Sequence, residues 1–362
     1  QIMKKTLAAL IIGAFAASAA NATVIYNNEG TKVELNGSLR INLEKSNQDG
    51  INKSKTTKRH SHSGLQNDGS RFEIKARHDL GDGYYALART EVRFDGDEKG
   101  LKKKDNDGFG NLTTKRAYVG LGHKEFGQVT FGRQVTIVDD VVTAEDKTYG
   151  LIEQGDYVSK EGKSVVRYDY YGIEGLQLGV GYQFAEQRKD NNEVLEGSVQ
   201  NSNQFGALYE KDGIIAKTAF GRTNYKTGNT ETKEHRDGVV ASLGYEFNGV
   251  TLSVDGGYAK TKFKDTDKKE TRFFVSPGFQ YQITDLSKVY GNYKYEQIKG
   301  TDSSKDKQHG FLLGIDYKLH KQVVTYLEGK YQVTKSYDED GKYVDDSKVK
   351  DKAIGVGIRV YF

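Results

Sequence analysis

The feature that most constrains the fold is an alternation of apolar and polar residues with a period of two. From Val33 to Leu43, every second residue except Gly37 is apolar, and the residues between them are polar or charged. Successive side chains of a strand point to opposite faces, so this pattern predicts strands with one apolar and one polar face. The pattern returns along the whole chain. The sixteen predicted strands are 32–44, 70–80, 84–95, 113–122, 127–134, 163–171, 175–186, 203–211, 213–225, 236–247, 250–262, 270–282, 287–298, 308–318, 322–336 and 350–362.

The connections between these segments alternate in length. Short ones read GDG at 81–83, NG at 248–249 and HK at 320–321, and two of the three carry the Gly, Asn or Asp that tight hairpins require. Long ones are charged, as in KSNQDGINKSKTTKRHSHSGLQNDG at 45–69. Because antiparallel neighbours run in opposite directions, this alternation places short turns at one end and long loops at the other. Such segregation is typical of outer-membrane barrels, and a soluble sandwich has no need of it.

The composition agrees with strands that have one wet face. The chain has 42 Gly and 24 Tyr, a mean hydropathy of −0.71, and no run after residue 22 that approaches the roughly 20 apolar residues of a spanning helix. Backbone groups in lipid must pair with one another, and a closed barrel pairs all of them. About sixteen strands enclose water, whereas about eight fill the interior with side chains. We therefore predict an all-β fold, a 16-stranded antiparallel transmembrane β-barrel with a water-filled lumen.

The first 22 residues have the order of a secretory signal peptide. Lys4 and Lys5 precede an apolar run that closes on the small residues Ala20-Asn21-Ala22. We expect Met3 to be the initiator, cleavage after Ala22, and a single mature barrel domain over 23–362. The chain carries 54 Lys+Arg against 50 Asp+Glu, so nothing in its net charge favours nucleic acid. The absence of Cys excludes thiol chemistry and cysteine metal sites.

Other functional readings have weaker support. A barrel enzyme needs a nucleophile beside a histidine at a strand end, and none of the seven His has such a neighbour. A soluble, secreted ligand-binding β-protein would not require the segregated loop lengths. DNDG at 105–108 begins like a calcium loop, but the twelfth position holds Arg116 and not Glu, so we expect no metal and no cofactor. KSKTTKRH at 53–60 reads as a solvated charge run, with contact to lipopolysaccharide phosphates as the alternative.

Several stretches together resemble the general trimeric porins of Gram-negative bacteria, above all the major outer-membrane porins of the Haemophilus and Pasteurella group. The resemblance implies a homotrimer in the outer membrane, passive passage of small hydrophilic solutes and ions, and a third loop folded into the pore. It also implies that the terminal Phe362 is read by the barrel-assembly machinery. The stretches that carry it are TVIYNNEGTKVELNGSLR, GSRFEIKA, AYVGLGHKEFGQVTFGRQ, AFGRTNY and GVGIRVYF.

The third long connection is acidic and unusually apolar. It reads VTIVDDVVTAEDKTYGLIEQGDYVSKEGK, and its Val and Ile residues favour packing against the inner wall, with an ordinary acidic surface loop as the alternative. Which of Glu145, Asp146 and Glu153 lines the narrowest point is open, because the tip departs from the family pattern. The candidate constriction carboxylates are Asp139, Asp140, Glu145, Asp146 and Glu153.

The resemblance also implies a ladder of basic residues opposite this loop. Acid on one side and base on the other would set up a transverse field across a narrow aqueous slot, with the field focused by low-dielectric walls. The assignment of Lys115 is open, because Lys115 and Arg116 compete for the same face. The candidates matched by strand and parity are Arg40, Arg71, Lys115, Arg133, Lys163 and Arg167, with Arg89 and Arg93 nearby.

Overall fold

The computed structural model contains one continuous β-sheet that closes on itself. No helix in the described part of the chain is long and apolar enough to cross a bilayer. The predicted signal peptide, apart from Ala22, lies outside the described residues, as does Glu153. The structure describes residues 22–49, 57–61, 65–94, 109–147, 149, 152, 155–228 and 232–362.

Sixteen of the described strands form a closed antiparallel barrel, which confirms the predicted fold class. Each of the sixteen predicted segments corresponds to one ring strand, with ends that differ by a few residues. Three short strands, β1, β3 and β4, were not predicted. The bounds are β1 Thr23–Asn28, β2 Thr31–Asp49, β3 Thr57–Ser61, β4 Gln66–Asn67, β5 Arg71–Gly81, β6 Tyr84–Phe94, β7 Leu112–His123, β8 Gly127–Val135, β9 Glu161–Ile173, β10 Leu176–Gln183, β11 Val199–Lys211, β12 Ile214–Tyr225, β13 Lys233–Phe247, β14 Val250–Phe263, β15 Lys269–Thr284, β16 Ser287–Lys299, β17 Lys305–His320, β18 Val323–Tyr337 and β19 Val349–Tyr361.

The distribution of polar and apolar side chains is the reverse of that in a soluble protein. In β18, Leu327 is 47% exposed while its neighbour Glu328 is 0% exposed. In β14, Val254 is 46% exposed while Asp255 is 0% exposed. Aliphatic and aromatic side chains thus form the outer surface of the barrel, and charged side chains point inward, as the period-two pattern predicts.

The tight turns lie together at one end of the barrel. Asp82 and Gly83 both have positive φ, at 50° and 87°, and Asn248 and Gly249 repeat this at 48° and 77°. Positive φ at both central residues is the signature of type I′ turns, whose twist matches that of the flanking strands. The Asp-Gly and Asn-Gly pairs in the sequence are therefore the residues that hold these hairpins in register.

Pro277 interrupts one ladder without changing the register. A proline inside a strand predicts a bulge, because it lacks the N–H that a central strand donates. That expectation is wrong: Pro277 lies opposite Val254 in an unshifted ladder with β14, and on the β16 side the same register holds at Val275 and at Gly278. Around the proline, pairing with β16 is absent across Ser276 and Pro277, so the proline costs local hydrogen bonds without shifting the register.

The last residue of the chain seals the seam of the barrel. β19 pairs with β2 in one unbroken register, and the Gly37 N–H donates to the Phe362 carbonyl at 2.8 Å. The Phe362 N–H donates back to the Gly37 carbonyl at 3.1 Å. The Phe362 ring covers Gly37 so closely that a Cβ at position 37 would lie 2.0 Å from a ring carbon. The aromatic terminus is therefore a packing element of the closure.

Gly37→Ala is expected to destabilise the folded barrel by about 1–3 kcal/mol, because the added methyl group must displace the Phe362 ring. Heat denaturation followed by the gel mobility of the folded and unfolded forms measures the change. Combining Gly37→Ala with Phe362→Ala removes the clash, so the double variant should lose less stability than the two single losses added together. Additive losses would show that the ring does not press on position 37.

Candidate functional site

The described residues of the segment between β8 and β9, which are 136–147, 149, 152 and 155–160, lie inside the barrel and are called the inner loop below. It contains two short 3₁₀ turns, Ile137–Asp140 and Glu145–Lys147. Ile137 and Val141 are 0% exposed and belong to an apolar cluster with wall residues of β11 to β15. At Gly179 a Cβ would lie 2.2 Å from the Ile137 side chain, so the wall is hollowed by glycine where the loop packs. The Val and Ile residues of this loop are thus a small hydrophobic core within a polar lumen.

A buried carboxylate anchors the middle of the inner loop. Asp255 of β14, itself 0% exposed, accepts the backbone N–H of Thr143 at 3.0 Å and that of Glu145 at 2.9 Å. The Glu145 carboxylate pairs with Lys294 of β16 at 3.0 Å, and both side chains are almost fully buried. Burial raises the pKa of the Glu145 carboxyl, while Lys294 opposes that shift. Glu145 therefore faces the wall and not the open lumen.

Tyr149 ties the far end of the inner loop to the last strands of the barrel. Its N–H donates to Glu328 at 2.7 Å, and its hydroxyl donates to Asp316 at 2.6 Å. Its ring stacks on Tyr326 with centroids 4.0 Å apart, and the Arg359 guanidinium lies 4.4 Å from the ring centroid. Charge-assisted hydrogen bonds of this kind are among the stronger ones, so this end of the loop is firmly held.

The returning part of the loop is held in the same way. The Tyr157 hydroxyl donates to Glu296 at 2.5 Å, and Arg236 donates to the Asp156 carboxylate at 2.6 Å. Arg236 also donates to the Asp156 carbonyl at 3.1 Å. The described residues of the inner loop are therefore attached to the wall at several points, and its acidic first turn faces the remaining open space.

That space is a cavity of about 750 Å³ between the inner loop and the wall. Carboxylates of the loop stand on one side of it and guanidinium groups of β5, β6 and β7 on the other. Between these two sides, Arg116 Nη2 of β7 lies 3.9 Å from Asp139 Oδ2 of the loop. The charged residues that line the cavity are Arg71, Arg89, Arg116, Arg167, Lys217, Asp139, Asp140, Asp146, Asp169 and Glu210.

The guanidinium groups are held together by a shared carboxylate. The Glu91 side chain is buried, and the residue is only 2% exposed. Four guanidinium groups form ion pairs with its carboxylate, and the distances are 2.6 Å to Arg93 Nε, 3.4 Å to Arg71 Nη1, 3.5 Å to Arg116 Nε and 3.9 Å to Arg89 Nη2. Four like charges would repel one another without it. Glu73 binds Arg89 as well, so two carboxylates hold four guanidinium groups in position and leave this side of the cavity positive.

Two of the predicted basic residues line the cavity, and a third lies near it. Arg71 and Arg167 both face the cavity. Arg167 is held between Asp140 at 3.0 Å and Asp169 at 2.8 Å, so its charge is largely compensated. Arg40 bonds to Ser38 at 2.7 Å and is not among the lining residues of this cavity.

The other three predicted basic residues do not line this cavity. Lys115 pairs with Glu161 across 2.8 Å, and Arg116 takes the inward position instead. Arg133 donates to the Lys115 carbonyl at 3.3 Å, and the side chain of Lys163 is exposed. None of these three lines the cavity in the described part of the chain.

Register shifts account for the positions of Lys115 and Lys163, whereas Arg133 simply shares the outward alternation of Phe131, with Thr130 and Gln134 buried on the other face. One shift lies between Glu91 and Val92 where β6 pairs with β7, and another between Gly132 and Gln134 where β8 pairs with β9. A bulge inserts one residue, so inward and outward positions counted along the strand exchange beyond it. Parity alone could not place residues on the far side of a bulge that the sequence does not mark.

The predicted acidic residues also differ in whether they line the cavity. Asp139, Asp140 and Asp146 line the cavity. Glu145 is buried against the wall with Lys294 and is not among the residues that line this cavity. Glu153 lies outside the described residues. Of the three carboxylates left open by the sequence, Asp146 is the one that the structure places at the cavity.

Sequence reasoning missed most of the wall groups that hold the loop. Asp255, Glu328 and Asp316 each follow an outward apolar residue in their strand, so their parity marks them as inward. Arg359, which bonds to Asp68 at 2.7 Å, could also have been found this way in the terminal strand. Parity identifies such residues as lumen-facing, but it does not show which of them contact the loop.

A closed barrel with an apolar exterior, a charged interior and a loop that narrows it is the architecture of an outer-membrane channel. Residues 6–337 match the family model for Gram-negative porins, so the chain belongs to the Gram-negative porin family. It is therefore a diffusion channel of the outer membrane of a Gram-negative bacterium, as the sequence predicts.

Individual relatives agree with this assignment. The major outer membrane protein of Pasteurella multocida strain Pm70 is 33% identical over 385 aligned residues, which cover 99% of this chain and 100% of that protein. Among solved structures, OmpT of Vibrio cholerae aligns with a TM-score of 0.69 at 17% identity, covering 94% of this chain and 100% of that one. The anion-selective porin from Comamonas acidovorans aligns at 0.68 with 19% identity, covering 92% and 100%. These structures share the fold.

Asp255→Ala is expected to loosen the inner loop, because two backbone N–H groups lose their buried acceptor at about 1–3 kcal/mol each. Single-channel recordings should show larger current fluctuations and longer high-conductance events than in the wild type. Asp255→Asn keeps one carbonyl acceptor, so its current fluctuations should lie between those of the wild type and those of Asp255→Ala. Identical current noise in all three proteins would contradict an anchoring role for this carboxylate.

Proposed function

We propose that this porin narrows between the acidic turn of the inner loop and the guanidinium cluster of β5 to β7. The observation that carries the proposal is the facing of Asp139 and Arg116 across the cavity, 3.9 Å apart at their closest. Opposite charges on facing walls produce a field across the slot, and low-dielectric protein concentrates it. Polar solutes align in this field, whereas apolar solutes must displace ordered water, so passage favours small hydrophilic solutes and ions.

The balance of charge favours a channel of low ion specificity. Among the described residues, five basic and five acidic side chains line the cavity. Rings of one sign select ions by charge, and a balanced set does so weakly. The basic and the acidic side chains are grouped on different sides of the cavity. The basic side therefore offers a path for anions, and the acidic side offers one for cations. This arrangement supports general diffusion of anions and cations alike.

We also infer the partners and the processing that such a channel requires. A trimer form of Vibrio cholerae OmpT shares the fold with a TM-score of 0.67, which supports a homotrimer here. The seam formed by Phe362 offers the barrel-assembly machinery a terminal aromatic strand, so this residue is proposed as the assembly signal. The leader is proposed to be removed after Ala22, and the mature barrel contacts outer-membrane lipid and lipopolysaccharide.

Arg116→Ala should shift the potassium-to-chloride permeability ratio toward potassium, because one positive charge facing the slot is lost while the carboxylates stay. Reversal potentials in planar bilayers under a KCl gradient measure this ratio. Lys115→Ala is the matched control: it removes the same charge one residue away, from a side chain that does not line the described cavity. Equal shifts in both variants would contradict the proposed constriction, and a wild type that forms no conducting pore would overturn the channel itself.

Selectivity should also depend on pH through the inner loop. Burial, and then the adjacent Asp140 carboxylate, raise the pKa of Asp139 above its ordinary value. Asp139 therefore takes up its proton at a higher pH than an ordinary aspartate, and the loop loses negative charge as the pH falls through that raised pKa. We expect the permeability ratio to move toward chloride as the pH is lowered from 7 through that raised pKa, as measured by reversal potential. Asp139→Asn should behave at pH 7 as the wild type does at the lower pH, and an unchanged pH profile in that variant would assign the shift to another group.

A further inference from the structure

A bulge between β4 and β5 turns one carboxylate toward the lumen. The ladder with β2 holds where Asn67 pairs with Ile41 and again where Arg71 pairs with Ser38. Three residues separate Asn67 from Arg71, but only two separate their partners, so one residue on the β4–β5 side is extra. Bulges redirect side chains, and this one directs the Asp68 carboxylate to groups on the last two strands of the barrel.

Asp68 binds one group on each of these two strands. Its Oδ2 atom accepts hydrogen bonds from Arg359 Nη2 at 2.7 Å and from the Tyr326 hydroxyl at 3.0 Å. Arg359 alternates with the outward residues Ile358 and Val360, so its guanidinium lies on the lumen side of β19. The side chains of Arg359 and Asp68 are only 13% and 21% exposed. A hydrogen bond between two such charged groups is among the stronger ones in proteins.

The two partners of Asp68 hold the far end of the inner loop. Tyr149 of the loop stacks on Tyr326, with 4.0 Å between the ring centroids and 6° between the ring planes. The Arg359 guanidinium lies 4.4 Å from the centroid of the Tyr149 ring. The face of an aromatic ring attracts a guanidinium, so a guanidinium that is fixed in place also restrains the ring. Asp68 is therefore linked to the inner loop through Arg359 and Tyr326.

Arg359 also belongs to a row of opposed arginines on the inner wall. It stands directly opposite Arg40 in the ladder between β19 and β2, and Arg71 stands opposite Arg93 in the ladder between β5 and β6. Opposite residues in an antiparallel pair have Cβ atoms about 4.5–5.5 Å apart, and like charges at such positions destabilise the sheet. Asp68 relieves the first pair, as the shared carboxylate described above relieves the second.

The Arg359 charge lies close enough to the cavity to act on ions there. Arg71 lines the cavity, and β19 and β5 flank β2 on its two sides. Adjacent strands are about 4.8 Å apart, so Arg359 lies roughly 10–12 Å from Arg71 along the wall. The screening length is about 10 Å in 0.1 M salt and about 3 Å in 1 M salt. A change in the charge of this pair is therefore felt at the cavity in dilute salt and is screened in concentrated salt.

We propose that Asp68 is a positioning residue for the inner loop and a specificity-determining residue for the pore. It holds Arg359 against the Tyr149 ring, and its negative charge cancels that of Arg359 on a wall that carries several arginines. Without Asp68, the far end of the loop loosens and the wall favours anions more strongly. The inference rests on the channel function proposed above, and it adds a carboxylate that is not among the residues lining the described cavity.

The test compares Asp68→Asn and Asp68→Ala with a matched control, Asp265→Asn. The control removes the same charge at the long-loop end from a side chain that is 65% exposed, and asparagine tolerates the positive φ of 54° at this position. Gel mobility of the folded form shows that each variant folds. Reversal potentials give the potassium-to-chloride permeability ratio at about 0.1 M and about 1 M KCl, and single-channel recordings give the current noise.

Both Asp68 variants should lower the permeability ratio by about twofold in dilute salt, which is the size that Coulomb's law gives for one unit charge at about 10 Å after screening. The shift should nearly vanish in concentrated salt. Current noise should rise in Asp68→Ala and stay near that of the wild type in Asp68→Asn, because asparagine keeps one acceptor for Arg359. Unchanged ratios in both Asp68 variants, or an equal shift in the control, would overturn the charge role. Equal noise in the wild type and Asp68→Ala would overturn the positioning role.

A second set of variants tests whether Asp68 acts through Arg359. Arg359→Ala should raise the current noise, and the double variant with Asp68→Ala should be no noisier than the noisier single variant, because both changes remove the same contact. The two changes shift the permeability ratio in opposite directions, so the double variant should return toward the wild-type ratio. Noise that adds up in the double variant would show that the two residues act independently and would overturn the link.

Arg116→Ala separates this inference from the proposed constriction. A shift in Arg116→Ala without a shift in the Asp68 variants leaves the constriction intact and overturns the role of Asp68. A shift in the Asp68 variants without one in Arg116→Ala supports the role of Asp68 and overturns the constriction between the inner loop and β7.

Discussion

The closed ring of main-chain hydrogen bonds is the constraint on which the rest of this structure depends. A backbone group in lipid has no solvent partner, so every strand must have a neighbour on both sides. The register between β19 and β2 supplies the last of these pairings, and Phe362 with Gly37 completes it at the chain terminus. Once the ring is closed, the period-two alternation decides which side chains meet lipid and which meet water.

Closure creates a second problem, because a lumen of this width contains many charged groups in a partly buried space. The structure meets it by pairing. Glu91 collects the guanidinium groups of one wall, and Asp255 and Lys294 bind the inner loop to the other. Removing one member of such a set leaves its partner buried and unpaired, which costs more than the pair contributes. The residues that shape the pore therefore also hold the loop in place.

Much of the fold could be predicted from the sequence, and part of the site. All sixteen ring strands were visible as alternating segments, because sidedness is a local property of each strand. The structure places Asp139, Asp140, Asp146, Arg71 and Arg167 at the cavity, and their predicted role at a constriction stays a prediction. Lys115 and Lys163 lie beside bulges that shift parity without a marker in the sequence, and Arg133 shares the outward alternation of Phe131. The place of Glu145 could not be read from the sequence, because its partner Lys294 is distant in the chain and adjacent only after closure.

The sequence by itself determined the strands, their two faces, the separation of short turns from long loops, and hence a membrane barrel with a wet interior. These follow from local periodicity and from the chemistry of lipid and water. The tertiary structure alone decided which charges face each other, where the inner loop is attached, and that the inward arginines of β19 and β2, and those of β5 and β6, stand in opposed pairs. Those relations depend on register between strands far apart in the chain, and register is set only when the sheet closes.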